Sequence, residues 1–181
     1  MLESKTFGNP ETFAIRLEPP TNNGLFADVF IYVSGMVVNG QNPTYLSTFT
    51  AGIDQFCRVH RTPEHRDCDL SPEEEFTELR DVLTSQVDSH CFKVDDIWYY
   101  HYLYALDDAM VGCRMFVVDH ADRKRLLYSK DIGENASLSG YAEIPRSTFL
   151  AVLDDFVRFA KSLSPEAYNG GTSNCKTESQ Q

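Results

Sequence analysis

The spacing of apolar residues changes several times along this chain, and each change marks an element. In FAIRLE, residues 13–18, Phe13, Ile15 and Leu17 alternate with less apolar neighbours, the two-residue period of a half-buried strand. The turn-forming PPTNNG that follows ends it. A second strand is predicted over 25–33, closing at Ser34-Gly35, and the short apolar run 36–38 pairs back on it as a hairpin arm. Beyond Asn42-Pro43-Thr44 the period lengthens. Leu46, Phe49, Ile53 and Phe56 recur at helical spacing and predict a helix over 45–58.

The next helix announces its own start. In SPEE, Ser71 is placed to cap, Pro72 occupies the first helical position and Glu74 lies three residues after the cap, where it can return the hydrogen bond. This helix is expected to reach Val87 and to bury Phe76, Leu79 and Leu83. Three strands should follow. In WYYHYLYAL, 98–106, one face reads Trp98, Tyr100, Tyr102, Tyr104 and the other Tyr99, His101, Leu103, Ala105. A short extra arm is predicted over 91–94. Residues 111–118 put Val111, Cys113, Met115 and Val117 on an apolar face, and 124–128 reads as a shorter, more polar strand suited to a sheet edge. Short loops between them favour a meander. Ile144-Pro145 then leads into a helix to Leu163, with Phe149, Leu153, Phe156 and Ala160 as its core stripe. The expected architecture is α+β, one domain over 1–163, with an antiparallel sheet of about five to seven strands and about three helices packed mainly on one face. Residues 164–181 have almost nothing to bury and are expected to be a disordered tail.

Charge sharpens this picture. The net charge of -11 argues against binding phosphate backbones, because nucleic-acid affinity comes mainly from Lys and Arg. Residues 1–68 carry seven acids and five bases, 69–108 carry eleven and two, and 109–181 carry nine of each. Most of the excess therefore sits in forty residues around the second helix. On that helix Glu74, Glu78 and Asp81 follow one another at spacings that share a face. No apolar run is long enough to span a bilayer, and the opening MLESKTFGNP lacks the features of a secretory signal. A soluble, cytoplasmic protein is expected, with no membrane partner.

The most conspicuous candidate for chemistry is CRVHRTPEHRDC, residues 57–68, which places Cys57, His60, His65 and Cys68 at spacings compatible with tetrahedral zinc. A zinc-binding small enzyme or regulator is the alternative that this cluster supports. Against it, only four residues separate the two pairs, and Arg58, Arg61 and Arg66 oppose a dication. A helix end running into a loop accounts for the segment more simply, with Arg58 and His60 facing the helix dipole. The odd count of five cysteines forms no extracellular framework, so free thiols are expected. Cys91 or Cys113 opposite His101 would be needed for a thiol nucleophile, and small core cysteines explain them as well. Phosphate-cradling glycine loops, G-x-S-x-G and H-E-x-x-H are all missing. Neither catalysis nor a cofactor is expected. Recognition is the remaining reading. Tyr99 is a candidate anchor, and Asp95, Asp96, Asp107 and Asp108 bracket the tyrosine run as an acidic rim.

Several stretches resemble a known family. Phe7-Gly8-Asn9-Pro10, Phe13-Ala14-Ile15 and Gly24-Leu25-Phe26, followed by the strand and turn at 31–35, are similar to the start of the immunity protein 42 family of bacterial polymorphic toxin systems. Ile144-Pro145 before Phe149 and Leu153 resembles that family's closing helix. The resemblance implies a protein that binds a cognate toxin domain and inhibits it stoichiometrically, without turnover. It says nothing of the toxin. The charge partition adds a basic partner, and a nuclease, whose substrate channel must be positive, fits that description.

Overall fold

The computed structural model describes residues 3–21, 25–38, 43–63, 68–103 and 113–163, excluding the side chains of 99 and 100. The predicted sites His65, Asp107 and Asp108, and the expected tail 164–181, lie outside the described residues. Among the described helices none is long and apolar enough to cross a membrane.

The chain opens with a hairpin that the periodicity only half reveals. Strand β1 (Lys5–Asn9) pairs antiparallel with β2 (Phe13–Leu17), yet β1 buries Phe7 alone, which leaves little pattern to read. The pairing explains a glycine. Gly8 has φ +90°, and a Cβ there would lie 2.4 Å from the Phe13 carbonyl oxygen and 2.7 Å from Val152 Cγ2, so only glycine fits both the backbone and the space. The strand expected over 25–33 is two: β3 (Phe26–Ala27) and β4 (Val29–Val33), separated at Asp28. Strand β4 pairs with β2, so that Phe7, Ile15 and Ile31 form one cross-strand row. The predicted hairpin arm is β5 (Met36–Val37), and β6 (Thr44–Tyr45) pairs with β3 in a separate two-stranded sheet.

Helix α1 (Leu46–His60) and helix α4 (Arg146–Leu163) pack on each other, α4 also on this first sheet and α1 on β6. Their apolar stripes are those the spacing predicts, with Leu46, Phe49, Ile53 and Phe56 from one and Phe149, Leu153, Phe156 and Ala160 from the other all buried. Helix α2 (Pro72–Ser85) builds a second cluster. There Phe76, Leu79, Val82 and Leu83 meet Phe92, Ile97, Tyr102, Phe116, Val118 and Leu127.

A three-stranded meander separates the two clusters: β7 (Arg114–His120), β8 (Arg123–Ser129) and β9 (Gly140–Pro145). Strand side chains alternate between faces. Accordingly Met115, Val117, Leu126 and Tyr128 join the core under α1 and α4, while Phe116, Val118 and Leu127 join the core under α2. The strand expected at an edge, 124–128, is the centre of this sheet, because β9 pairs along its other side. Its polar character has a different cause. Lys124 and Arg125 are consecutive, so they enter opposite cores, and each is met by carboxylates. Lys124, fully buried, holds Asp119 at 2.7 Å and donates to His60 Nδ1 at 2.6 Å, while Arg146 binds Asp119 from α4. Arg125 bonds Glu143 at 2.7 Å and Glu75 of α2 at 3.2 Å.

The described part of the tyrosine-rich stretch, residues 98–103, is not a regular strand. Val94–Asp96 forms the short helix α3, and Ile97–His101 continues it as a wide π turn closed by the Tyr102 N–H on the Ile97 carbonyl at 2.8 Å. Ile97 and His101 are both buried four residues apart, a spacing that competes with the two-residue alternation of the tyrosines. Among the described residues of the predicted strand, Tyr102 makes a β-bridge, with Phe116. The arm expected over 91–94 is likewise irregular chain entering α3.

Removing one side of a buried ion pair leaves the other charge uncompensated, which typically costs about 3–5 kcal/mol. D119A, which strips the carboxylate from between Lys124 and Arg146, should lose that much in urea unfolding. K124M keeps the stem's volume and leaves Asp119 on Arg146, so it should lose less. The reverse ranking would contradict this account of the buried charges.

Candidate functional site

Local sequence fixes the acidic helix before any tertiary contact does. Ser71 Oγ accepts from the Glu74 N–H at 3.3 Å, and Glu74 Oε2 accepts from the Ser71 N–H at 3.0 Å and its hydroxyl at 2.7 Å, the reciprocal cap that SPEE predicts. These bonds, the Ser71 hydroxyl first, hold the Glu74 carboxyl below its usual range. The helix ends at Gln86, whose φ of 56° places it in the left-handed region.

The apolar stripe of α2 sorts its acids. Glu75 turns inward and is only 2% exposed, held by Arg125 and by His120 Nε2 at 3.2 Å. Glu73, Glu74 and Asp81 face outward, and Glu78 is half-buried. Asp81, with 57% of its side chain exposed, pairs with Arg80 at 2.6 Å. Arg80 also donates to the Ala136 carbonyl at 2.8 Å.

The chain behind α2 folds against it. Ser89 donates to Glu78 Oε2 at 2.8 Å, and Asp88 Oδ1 accepts from the Val94 N–H at 2.9 Å. Asp95 is exposed and Asp96 half-buried in the first turn of α3. Glu74, Glu78 and Asp81 thus lie on α2, Asp95 and Asp96 lie on the short helix leading into the π turn that packs on α2, and Glu74 and Glu78 serve the fold. The backbone of Tyr99 lies on the π turn next to them. The aromatic residue shown on the surface there is its neighbour Trp98. Sequence reading assigned Trp98 to an alternating strand and so passed over it; the Ile97 to His101 interval was the available signal.

The expectation of free thiols is corrected here. Cys68 and Cys91 form a disulfide with Cα atoms 6.0 Å apart, which ties the chain entering α2 to the loop leaving it. A thiol nucleophile at Cys91 is thereby removed. Cys57 and Cys113 keep their thiols in the core, where burial is the first cause raising them, to about 11 and about 12. His101 instead donates from Nδ1 to the Val117 carbonyl at 3.0 Å.

The zinc candidates part company in the same way. Cys57 Sγ donates to Asp154 Oδ1 at 3.3 Å, beside the Arg61 guanidinium that grips the same carboxylate at 2.8 Å. His60, expected to serve the helix dipole, is buried and points at Lys124 Nζ, where it must act as the acceptor because an ammonium group only donates. Cys68 is consumed by Cys91. Three of the four proposed ligands thus serve three separate partners. Among the described residues no three His, Cys, Asp or Glu side chains converge as a metal site.

Comparison with known proteins gives one family and one fold. Residues 1–159 match the sequence profile of the family described as immunity protein 42. No curated protein matches the chain. The crystal structure of CdiI from Burkholderia dolosa AUO158 superposes with a TM-score of 0.63 at 22% identity, covering 86% of this chain and 99% of that one, and shows that the two share a fold.

Two measurements check the helix and its staple. Replacing Cys68 and Cys91 together by serine should leave a folded protein that has lost on the order of 3 kcal/mol in urea unfolding, the chain-entropy value for a loop of this length. The buried α2 side chains supply about 1.5–3 kcal/mol each, so complete unfolding would show that they do not hold the helix unaided. The Glu74 carboxyl is depressed on folding, so its stabilisation is present above the ordinary value of 4.5 and is lost as the pH falls through the lower folded value. E74Q should flatten that acid limb of the stability profile relative to the parent; an unchanged limb would remove the cap from the account.

Proposed function

Because this chain belongs to the immunity protein 42 family, we propose that it protects a bacterial cell by binding a cognate toxin domain and occluding it, one inhibitor per toxin and without catalysis. The fold shared with CdiI supports the same setting, contact-dependent inhibition between neighbouring bacteria. The observation that carries the choice of surface is the charge partition. Eleven acids against two bases fall within residues 69–108, and α2 turns Glu73, Glu74 and Asp81 outward while its apolar stripe is spent on the core.

Such a face favours a basic partner. Complementary fields raise the encounter rate and select against partners of like charge, while desolvated anchors then set the lifetime of the complex. Enzymes that cut nucleic acids must hold a polyanion in a positive channel, so a nuclease domain is the toxin class this face suits best. An acidic inhibitor laid over that channel blocks it by mimicking the charge of the substrate. A cytoplasmic address belongs to the same proposal. In a reducing compartment the Cys68–Cys91 bond would exchange with the thiol pool, and the self-sufficient core under α2 would keep the face in place.

The test is charge reversal at outward positions that do not hold the cap. Glu73→Lys combined with Asp81→Lys should slow association with the toxin domain encoded beside this gene by about tenfold at low salt, with little change in dissociation. The difference should shrink as salt is raised. A folded double variant that associates at the parental rate would take α2 out of the interface.

A further inference from the structure

The chain that follows the acidic helix exposes an aromatic side chain that charge alone does not explain. Trp98 is the chain's single tryptophan, and 49% of it is exposed. Its ring is nevertheless held. It meets Tyr102 edge to face, with centroids 5.4 Å apart at 77°, and the almost buried Tyr102 ring leans on Phe116 at 5.5 Å. The backbone beneath is the π turn, anchored to β7 through the His101–Val117 hydrogen bond. Wide turns of this kind recur at functional sites, where they aim a side chain that a regular helix would turn elsewhere. Asp95 is exposed three residues earlier, in the short helix that runs directly into the π turn.

We propose that Trp98 and Asp95 together receive a cationic side chain of the toxin, specifically an arginine. Its guanidinium stacks on the exposed part of the indole and donates to the Asp95 carboxylate. The inference rests on the reading of this protein as an inhibitor of a basic toxin and adds the point of anchorage. The chemistry favours arginine for three reasons. Tryptophan has the strongest ring quadrupole for a cation. A planar guanidinium can stack and hydrogen-bond sideways at once, as an ammonium group cannot. The indole already rests on Tyr102, which in turn leans on Phe116, so less side-chain freedom remains to be lost on binding. Charge complementarity selects the occupant, because the surrounding segment carries the chain's acidic excess.

Having one tryptophan makes the site directly observable. The protein labelled with 5-fluorotryptophan gives one 19F resonance, which should shift when the unlabelled toxin domain encoded beside this gene is added. W98A should weaken the complex by about 30-fold or more, as expected of a tryptophan hot spot, W98F should weaken it less, and D95N should cost about tenfold. A complex that forms with the resonance unmoved, or with W98A binding at full strength, overturns this anchor and leaves the inhibitor reading standing. Failure of the parent to bind that toxin domain at all removes both. If W98A does not fold, D95N decides, since it changes an exposed carboxylate only, and undiminished affinity overturns the proposal.

Discussion

Strand β8 must bury two cations side by side. Lys124 and Arg125 are adjacent in the chain, and the pleat sends one to each face of the meander. A charge cannot enter a core without a partner, and the partners come from different elements. Asp119 of β7 and His60 of α1 meet Lys124, Arg146 of α4 joins them through the same Asp119 carboxylate, and Glu75 and Glu143 gather around Arg125 from α2 and β9. The two ion clusters therefore register α1, α4 and α2 against one sheet. Apolar contacts supply most of the driving force, whereas these directional contacts fix where each helix must sit.

For α2 the consequence is rotational. Glu75 can reach Arg125 only if the stripe Phe76, Leu79, Val82 and Leu83 faces the sheet, and in that orientation Glu73 and Asp81 face solvent. The acidic surface is thus the complement of a buried carboxylate. Three successive glutamates, similar in sequence, divide into one that faces outward, one that closes the cap and one that locks the helix to the core.

The parts of this structure legible in the sequence are those where one local rule acts alone. FAIRLE, the SPEE cap and the stripes of α1 and α4 were readable because period or capping chemistry met no rival signal. Other elements depended on distant residues. Strand β8 looked like an edge because its charges are satisfied by residues up to sixty-four positions away. The tyrosine run obeyed two periods at once, and burial of Ile97 and His101 under Phe92 and against β7 favoured the helical one. The Cys68–Cys91 bond was hidden because the spacing of cysteines does not reveal pairing; the chain leaving α2 after Gln86 folds back to bring those two together. The acidic candidates on α2 were visible from composition, but which of them also stabilise the fold depended on rotation about the helix axis.

That disulfide also alters the topology of the molecule. With the bond closed, residues 68–91 form a covalent ring mounted on the rest of the domain. A protease that cuts one exposed peptide bond within the ring opens it without separating the two pieces, since the sulfur bridge still joins them. The same closure makes the ring a cassette: inward positions 75, 76, 79, 82 and 83 answer to the sheet, while outward positions 73, 77 and 81 can be rewritten with little consequence for the core. The α2 part of the proposed contact face can then be revised within one covalent loop while the two-sided sheet stays untouched.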